Sequence, residues 1–191
     1  ERLDVGLFLD HRVSREIIRD YAKNKDVLNL FAYTGSFSVY CAAAGAKSTT
    51  TVDLSNNYCT WAQKNLELNG FNVNYKERGE GAQNEIWNED VFEFIQIAIE
   101  TGSKYDIIIL DPPSFSRNKS KVFNVQNDHV KLIKDIQEHI LNPGAILFFS
   151  TNLSTFVLSP YIRPGADKLT KKTVPQEFQP FRAHQSFVFY G

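Results

Sequence analysis

The sequence predicts an α/β fold: a mainly parallel, doubly wound sheet with an antiparallel C-terminal edge. Strand and helix signals alternate along the chain, an order that places helices on both faces of a parallel sheet. Tyr105–Leu110 and Ala145–Ser150 are largely apolar runs, typical of buried parallel strands. By contrast, Thr173–Tyr190 consists of extended pieces suited to antiparallel pairing at the sheet edge.

The first half of the chain begins this alternation. A turn at Ala32–Gly35 separates the first predicted strand from a helix of periodic apolar residues that Gly45 ends. A second periodic helix closes at Asn69-Gly70. In chain order, we also predict a leading helix at Ser14–Tyr21, a linker at Asp20–Asp26, strands at Val27–Phe31 and Ser48–Asp53, and a weaker strand at Asn84–Asn88.

The second half continues the pattern. A helix is predicted at Val91–Thr101, and the strand Tyr105–Leu110 stops at a proline pair that opens a polar loop. From about Asn127 to Leu141 the apolar residues again recur at helical spacing. Asn142-Pro143-Gly144 ends that helix before the next buried strand.

Composition excludes several classes of protein. The 191 residues carry a formal net charge of -1 and are 42% hydrophobic, which indicates a packed domain and not a disordered chain or a strongly basic nucleic-acid binder. No apolar run approaches the roughly 20 residues of a membrane span, and no signal-peptide pattern is present. Cys41 and Cys59 lack metal-ligand spacing, so we expect reduced thiols, no metal site and a cytoplasmic location.

We divide the chain into a leading segment with its helix, residues 1–26, and one folded domain, residues 27–191. The chain begins at Glu1 and contains no methionine, so we expect it to be an excised part of a larger protein. Basic residues outnumber acidic ones in Arg117–Lys134 and Ser159–Gly191. Both stretches are candidate nucleic-acid contacts, with ordinary solvated surface as the alternative.

Three acids end successive predicted strands: Asp53, Asp90 and Asp111. In doubly wound sheets ligands bind at the carboxyl ends of the strands, and Asp53 lies near the offset after Gly35 at which an acid meets a ribose diol. The first turn has one glycine, which disfavours a nicotinamide dinucleotide, the competing interpretation. Although each acid alone is more often a helix N-cap, the set fits S-adenosylmethionine, which carries ribose, adenine and a cationic group.

The run Asp111–Ser116 is suited to hold a flat, hydrogen-bonding group. A carboxylate follows a buried strand, and Pro112 and Pro113 fix the backbone and lack N–H donors, so carbonyls stay available. Phe115 then adds an aromatic ring. A nucleobase matches this combination, whereas an Asp-Pro turn without function is the plain alternative.

Several runs together resemble bacterial large-subunit rRNA methyltransferases, and specifically the C-terminal guanine-N7 methyltransferase domain of the bifunctional K/L family. The resemblance extends from about Gly6 to the C-terminus. It is carried by Gly6–Arg12, Asn29–Ser38, Thr51–Ser55, Trp61-Ala62 with Asn65, Asn69-Gly70, Asp111–Ser116, Phe123–His129 and Leu169–Phe178.

The resemblance implies a Rossmann-like class I methyltransferase fold, S-adenosylmethionine as the methyl donor, and guanine N7 of ribosomal RNA as the acceptor. It further implies RNA-binding and second methyltransferase domains upstream. We expect the acceptor side to be formed by Asp111, Pro112, Pro113 and Phe115. We expect donor contacts from Arg12, Phe31, Tyr33, Thr34, Gly35, Asp53, Leu54, Asp90, Val91 and Asp111.

Alternatives remain open at this point. A cytosine-C5 rRNA methyltransferase shares the leading motif, but its chemistry needs a cysteine nucleophile, and Phe148–Asn152 contains none. A catalytically silent RNA-binding domain is the second alternative. Arg12 is expected either at the donor carboxylate or an RNA phosphate, or in a salt bridge to Asp10 or Asp20, while His129 and His184 are expected to be structural or RNA-contacting.

Overall fold

The computed structural model describes residues 6–75, 83–117, 122–181 and 183–191. The strands are β1 Asp26–Leu30, β2 Ser48–Asp53, β3 Asn74–Tyr75, β4 Asn84–Asn88, β5 Tyr105–Leu110, β6 Phe115–Arg117, β7 Val122–Asn124, β8 Leu141–Thr151, β9 Ala166–Lys168 and β10 Gln185–Tyr190. The α-helices are α1 Arg12–Tyr21, α2 Ser36–Ala43, α3 Asn56–Leu68, α4 Val91–Thr101, α5 Val125–Asp135 and α6 Thr170–Thr173.

Within these residues, eight strands form one sheet in the order β3-β4-β2-β1-β5-β8-β10-β9. The strands from β3 to β8 pair in parallel, and β10 runs antiparallel to both β8 and β9. The predicted mainly parallel sheet with an antiparallel C-terminal edge is therefore confirmed. The chain order reverses between β1 and β5, which makes their carboxyl ends the topological switch point.

Alternate residues of the central strands face opposite layers of the core, as the pleat requires. Ile108 and Leu110 pack in the layer that includes α4 and α5. Ile107 and Ile109 pack in the layer that includes α1 and α2. Since both faces are covered, the near-continuous apolar character of β5 follows from its position.

The strand registers bring the ends of three strands together. Leu30 at the end of β1 pairs with Val52 of β2 and with Leu110 of β5. Asp53 and Asp111 each follow one of these partners, so both acids lie at the same edge of the sheet.

The helix predicted from Asn127 to Leu141 is shorter than expected. Helix α5 ends at Asp135, a π-helical turn follows at Ile136–Ile140, and β8 begins at Leu141. The strand begins early because Leu141 pairs with Tyr105 of β5.

Only part of the predicted extended C-terminal segment is a strand. Residues Gln185–Tyr190 form β10, but Gln176–Phe181 is a 3-10 helix. Pro180 in this helix cannot donate to a strand ladder. The outer strand of this edge is instead β9, which we did not anticipate; nor did we anticipate β3 or the β6–β7 hairpin in the loop after Leu110.

The leading helix is confirmed and begins two residues earlier than predicted, at Arg12. The first strand is shifted by one residue, because Phe31 already belongs to the following turn. None of the described helices combines the length and apolar character that a membrane span requires.

Candidate functional site

A cavity of about 400 Å³, which we call the strand-end cavity, opens at the carboxyl ends of β1, β2 and β5. Its volume falls in the range of small-molecule sites. It is lined by nine of the residues predicted for the site: Phe31, Tyr33, Asp53, Leu54, Asp90, Val91, Asp111, Pro112 and Pro113.

Four predicted residues do not line the cavity. Thr34 is buried beneath it, where its hydroxyl donates to the Gly6 carbonyl over 2.7 Å. Gly35 lies at the N-cap of α2. Arg12 is exposed and pairs with Glu177, not with Asp10 or Asp20, so both alternatives for its salt bridge are wrong.

Phe115 is the fourth. Its ring is 58% exposed on β6, whereas Ser116 and Arg117 of the same strand line the cavity. Phe123 from β7 occupies the apolar wall, its ring stacked near Phe31 at a centroid distance of 6.1 Å. The β6–β7 hairpin therefore presents Phe115 outward at the cavity rim.

The first turn is held in a strained conformation. Phe31 and Tyr33 have φ of 56° and 53°, in the left-handed region that costs about 1–2 kcal/mol for a residue with a Cβ. The amide of Ala32 donates to Val52 O over 3.0 Å, and that of Tyr33 donates to the Asp53 carboxylate over 2.8 Å. These hydrogen bonds stabilise a turn that directs the two aromatic rings toward the cavity.

Gly35 completes the turn by allowing a close helix approach. Its φ is +72°, and a Cβ at this position would lie 2.8 Å from the Cβ of Ala62 on α3. The Thr34 carbonyl also accepts a hydrogen bond from Asn65 of α3, over 2.9 Å. Helix α3 thus supports the turn from behind.

Asp53 is oriented entirely by backbone amides. One carboxylate oxygen accepts from Tyr33 N and the other from Ser55 N, over 2.8 and 2.9 Å. Burial raises the pKa of Asp53 above its ordinary value, and these two hydrogen bonds only partly oppose that effect. The carboxylate is fixed and has lone pairs left for two ligand hydroxyl groups.

Asp90 has both roles that the sequence allowed. It is the N-cap of α4 and accepts from Phe92 N over 2.9 Å, and it also lines the cavity. The strand before it ends at Asn88, so Asp90 reaches the cavity from the helix start.

Asp111 lies on the opposite wall. One of its oxygens accepts from the Ser150 hydroxyl over 2.5 Å, and the other lies 3.6 Å from His11 Nε2. The side chain is 26% exposed. It is therefore held from two sides and still accessible to a ligand.

Sequence reasoning missed a cluster of Asp10, His11 and His184 beside Asp111. The His11 and His184 rings stack at 4.0 Å with an interplanar angle of 11°. His184 Nδ1 lies 2.9 Å from Asp10, 174 residues away, and Thr173 contacts its other ring nitrogen. The motif around Asp10 was recognised, but nothing local indicates that a C-terminal histidine packs against it.

The ligating atoms of Asp10, His11 and His184 lie within 4.8 Å of one another, as in metal sites. However, an imidazole binds a metal through the lone pair in its ring plane, and two nearly parallel rings cannot direct these lone pairs at one ion. The geometry favours a hydrogen-bonded stack. Burial lowers the pKa of His11, an effect that Asp111 partly opposes.

His129 is also structural in its contacts. Its Nε2 accepts from Ser159 N over 3.1 Å, and its Nδ1 faces the carbonyls of α5.

Of the predicted basic stretches, Arg117 lines the cavity and Lys131 pairs with Asp135. Lys119, Lys121 and Arg182 lie outside the described residues.

Comparisons with known proteins agree with this geometry. A family model described as S-adenosylmethionine-dependent methyltransferase matches residues 2–165. The chain is 42% identical over 187 residues to the ribosomal RNA large subunit methyltransferase K of Neisseria meningitidis, which covers 96% of this chain and 50% of the relative. It is 41% identical to the methyltransferase K/L of Photobacterium profundum, covering 92% of this chain and 24% of the relative.

The chain thus spans about half the length of the first relative and about a quarter of the second. Among solved structures, SMU.776, assigned as a methyltransferase and crystallised with SAH, superposes with a TM-score of 0.81 at 31% identity. That match covers 100% of this chain and 52% of the other. A SAM-dependent methyltransferase from Agrobacterium tumefaciens gives a TM-score of 0.72 at 28% identity, over 98% of this chain and 64% of the other.

Proposed function

The chain belongs to the S-adenosylmethionine-dependent methyltransferase family, and from that premise we propose that it methylates guanine N7 in large-subunit ribosomal RNA. S-adenosylmethionine is the cofactor. One observation carries the choice of acceptor: the Asp111–Pro113 rim lines the strand-end cavity, and neither of the two cysteines, Cys41 and Cys59, is among its lining residues.

The described residues fit the donor. Asp53, fixed by two backbone amides, suits the ribose hydroxyls. Asp90, at the start of α4, is proposed to accept from the adenine amino group, and Val91 and Leu54 add apolar side chains to the same cavity. Tyr33 then packs beside the methionine part. The donor supplies an electrophilic methyl group on a sulfonium centre.

The acceptor side is proposed to hold guanine by the edge that carries N1–H and the amino group. The Asp111 carboxylate accepts from these donors, assisted by the carbonyls of Pro112 and Pro113. Ser150 and His11 keep the carboxylate in place. Phe115, exposed at the rim, offers its ring to a base that enters from solvent.

Catalysis in this proposal rests on alignment. Guanine N7 carries a free lone pair, so no group on the protein has to remove a proton before attack. Holding N7 in line with the methyl carbon and sulfur replaces a bimolecular encounter, an effect worth up to about 7–11 kcal/mol in favourable systems. A guanine in a helix must be flipped out or already single-stranded to reach the cavity.

Cytosine-C5 chemistry is disfavoured because it needs a thiolate. Cys41 and Cys59 are buried on α2 and α3, and burial raises the pKa of each to about 12. Neither lines the strand-end cavity. At the end of β8, where a nucleophile would reach the acceptor, Ser150 and Thr151 stand instead.

A catalytically silent RNA-binding domain is the other candidate. It has no need of Asp53, Asp90 and Asp111 together, yet all three line one cavity. Because the relatives are longer than this chain, we further propose that RNA-binding and second methyltransferase domains lie upstream. Such domains would supply the RNA affinity that a chain with a net charge of -1 is not expected to have by itself.

Nucleoside mass spectrometry of rRNA from a strain lacking this protein tests the acceptor. We expect loss of one 7-methylguanosine with 5-methylcytidine intact, restored by the wild-type gene but not by Asp111→Asn. Loss of 5-methylcytidine instead, or an unchanged nucleoside profile, would overturn the proposed acceptor.

A further inference from the structure

Arg15, in the first turns of α1, is a charged residue in the protein interior. Its side chain is only 2% exposed, yet it lines the strand-end cavity. One guanidinium nitrogen, Nη1, donates to the Phe8 carbonyl over 2.8 Å. The guanidinium also lies over the Tyr40 ring, 5.4 Å from its centroid.

These contacts leave the charge of Arg15 uncompensated. Its Nε is buried without a hydrogen-bond partner, and among the described residues no carboxylate lies within ion-pair distance of the guanidinium. A carbonyl and an aromatic ring attract a cation but do not neutralise it. Burying a cation without an anionic partner costs several kcal/mol, because the cation loses its hydration. Arg15 should therefore strongly favour binding of an anion in the cavity.

Arg12, three residues earlier on the same helix, provides the contrast. It is exposed and paired with Glu177. The helix therefore turns one arginine to the surface, where a protein carboxylate satisfies it, and the other into the cavity. The charge of Arg15 acts on another cavity residue, because together with burial it lowers the pKa of His11.

Apart from Arg117, which is exposed on β6, the other charged residues that line the cavity are acidic. Asp53, Asp90 and Asp111 suit the hydroxyl, amino and cationic groups of the donor. The donor has one anionic group, the carboxylate of its methionine part. We propose that Arg15 binds this carboxylate, with its fork-shaped guanidinium matching the two oxygens.

This inference rests on the proposed function, in that the cavity must bind the donor, and it replaces Arg12 as the expected carboxylate ligand. It is tested by calorimetric titration with two pairs of ligands that differ in the amino-acid part. S-adenosylhomocysteine carries the carboxylate, and 5′-methylthioadenosine lacks the whole amino-acid group. The second pair, S-adenosylmethionine and its decarboxylated form, differs only in the carboxylate.

For Arg15→Gln we expect S-adenosylhomocysteine affinity to fall about 10- to 100-fold, the effect of hydrogen bonds between charged groups. Affinity for 5′-methylthioadenosine and for the decarboxylated donor should stay within about twofold of the wild type. The matched control, Arg12→Gln on the surface of the same helix, should change none of these affinities. Arg15→Lys keeps a shorter, single-point cation and should lie between the wild type and Arg15→Gln.

Thermal melting without ligand checks the fold of each variant, and Arg15→Lys provides the comparison if Arg15→Gln does not fold. An equal loss for all ligands in Arg15→Gln, or no loss for any, would overturn the inference. The inference would also be overturned if the wild-type protein bound S-adenosylmethionine and its decarboxylated form with equal affinity. A wild-type protein that binds no adenosyl ligand would instead refute donor binding itself.

Discussion

Two walls of the strand-end cavity are built in different ways. The strand-end wall, formed by the turn of residues 31–35 with Asp53 and Asp90, is held by backbone amides. The N-terminal wall, formed by Asp10, His11 and Arg15 with His184, is held by contacts between side chains and across 174 residues of chain.

The difference shows how far a local sequence motif can fix the orientation of a site residue. On the strand-end wall, the strand register fixes where Asp53 lies, and amides nearby fix its orientation. On the N-terminal wall, Asp10, His11 and His184 contact one another through their side chains, whereas Arg15 donates to the Phe8 carbonyl. We therefore expect changes in the strand-end wall to lower the stability of the fold strongly, and single changes among Asp10, His11 and His184 to lower it less and in a pH-dependent way.

Gly35→Ala is expected to have the largest effect. A Cβ at Gly35 would meet Ala62 at 2.8 Å, and φ is +72°. Left-handed strain and overpacking together should lower the free energy of unfolding by about 2–5 kcal/mol. Urea denaturation measures this loss.

Gly102→Ala is the matched control. Its φ is +69°, but a Cβ added there would have no neighbour within 4 Å in the described part of the chain other than its own helix and chain neighbours, so only the strain of about 1 kcal/mol should appear. Equal losses in the two variants would show that the approach of α3 to the first turn does not matter.

Asp53→Asn should come next. The amide removes the charge and one acceptor, so donor affinity should fall about 10- to 100-fold while the fold persists. Calorimetry with S-adenosylhomocysteine measures the affinity. Burial raises the pKa of Asp53. As the solution is acidified, the donor affinity of the wild type should therefore begin to fall at a higher pH than it would if Asp53 were exposed. Unchanged affinity at pH 7 would remove Asp53 from the donor site.

Asp10→Asn tests the N-terminal wall. Burial opposes ionisation of Asp10, but the hydrogen bond with His184 and the nearby His11 outweigh it, so its pKa lies below the ordinary value. A lowered pKa in the folded state adds stability above the unfolded pKa, and this stability is lost as the pH falls through the folded one. We expect a loss of about 1 kcal/mol at pH 7.

The loss should shrink as the pH falls below about 4, where aspartate in the unfolded chain takes up a proton, and it should vanish below the lowered pKa of folded Asp10. Asp20→Asn, an exposed neighbour paired with Arg19, is the control and should show neither effect. A destabilisation by Asp10→Asn that is constant from pH 7 to pH 3 would argue against the ionic role of Asp10.

Glu177→Gln should have the smallest effect. Its ion pair with Arg12 joins the start of α1 to the C-terminal 3-10 helix, but both groups are exposed. Exposed pairs contribute little and are screened by salt. Thermal melting should show no measurable change, and a clear loss would mean that the N-terminal wall depends on this surface contact.

Most of the parallel sheet could be predicted from the sequence, and so could Asp53 and Asp111, because buried strands and their last residues are locally encoded. Arg15 was missed because one sequence does not reveal which side of α1 packs inward. Phe123 was missed because its hairpin has only short strands. The pairing of Asp10 with His184 depends on distant packing, which no local pattern carries.

The account is tested most directly by a crystal structure of this chain with S-adenosylhomocysteine. We expect the ribose hydroxyls on Asp53, the adenine beside Asp90, the carboxylate on Arg15 and the sulfur facing the Asp111–Pro113 rim. A ligand outside the strand-end cavity, or one whose ribose does not contact Asp53, would contradict it.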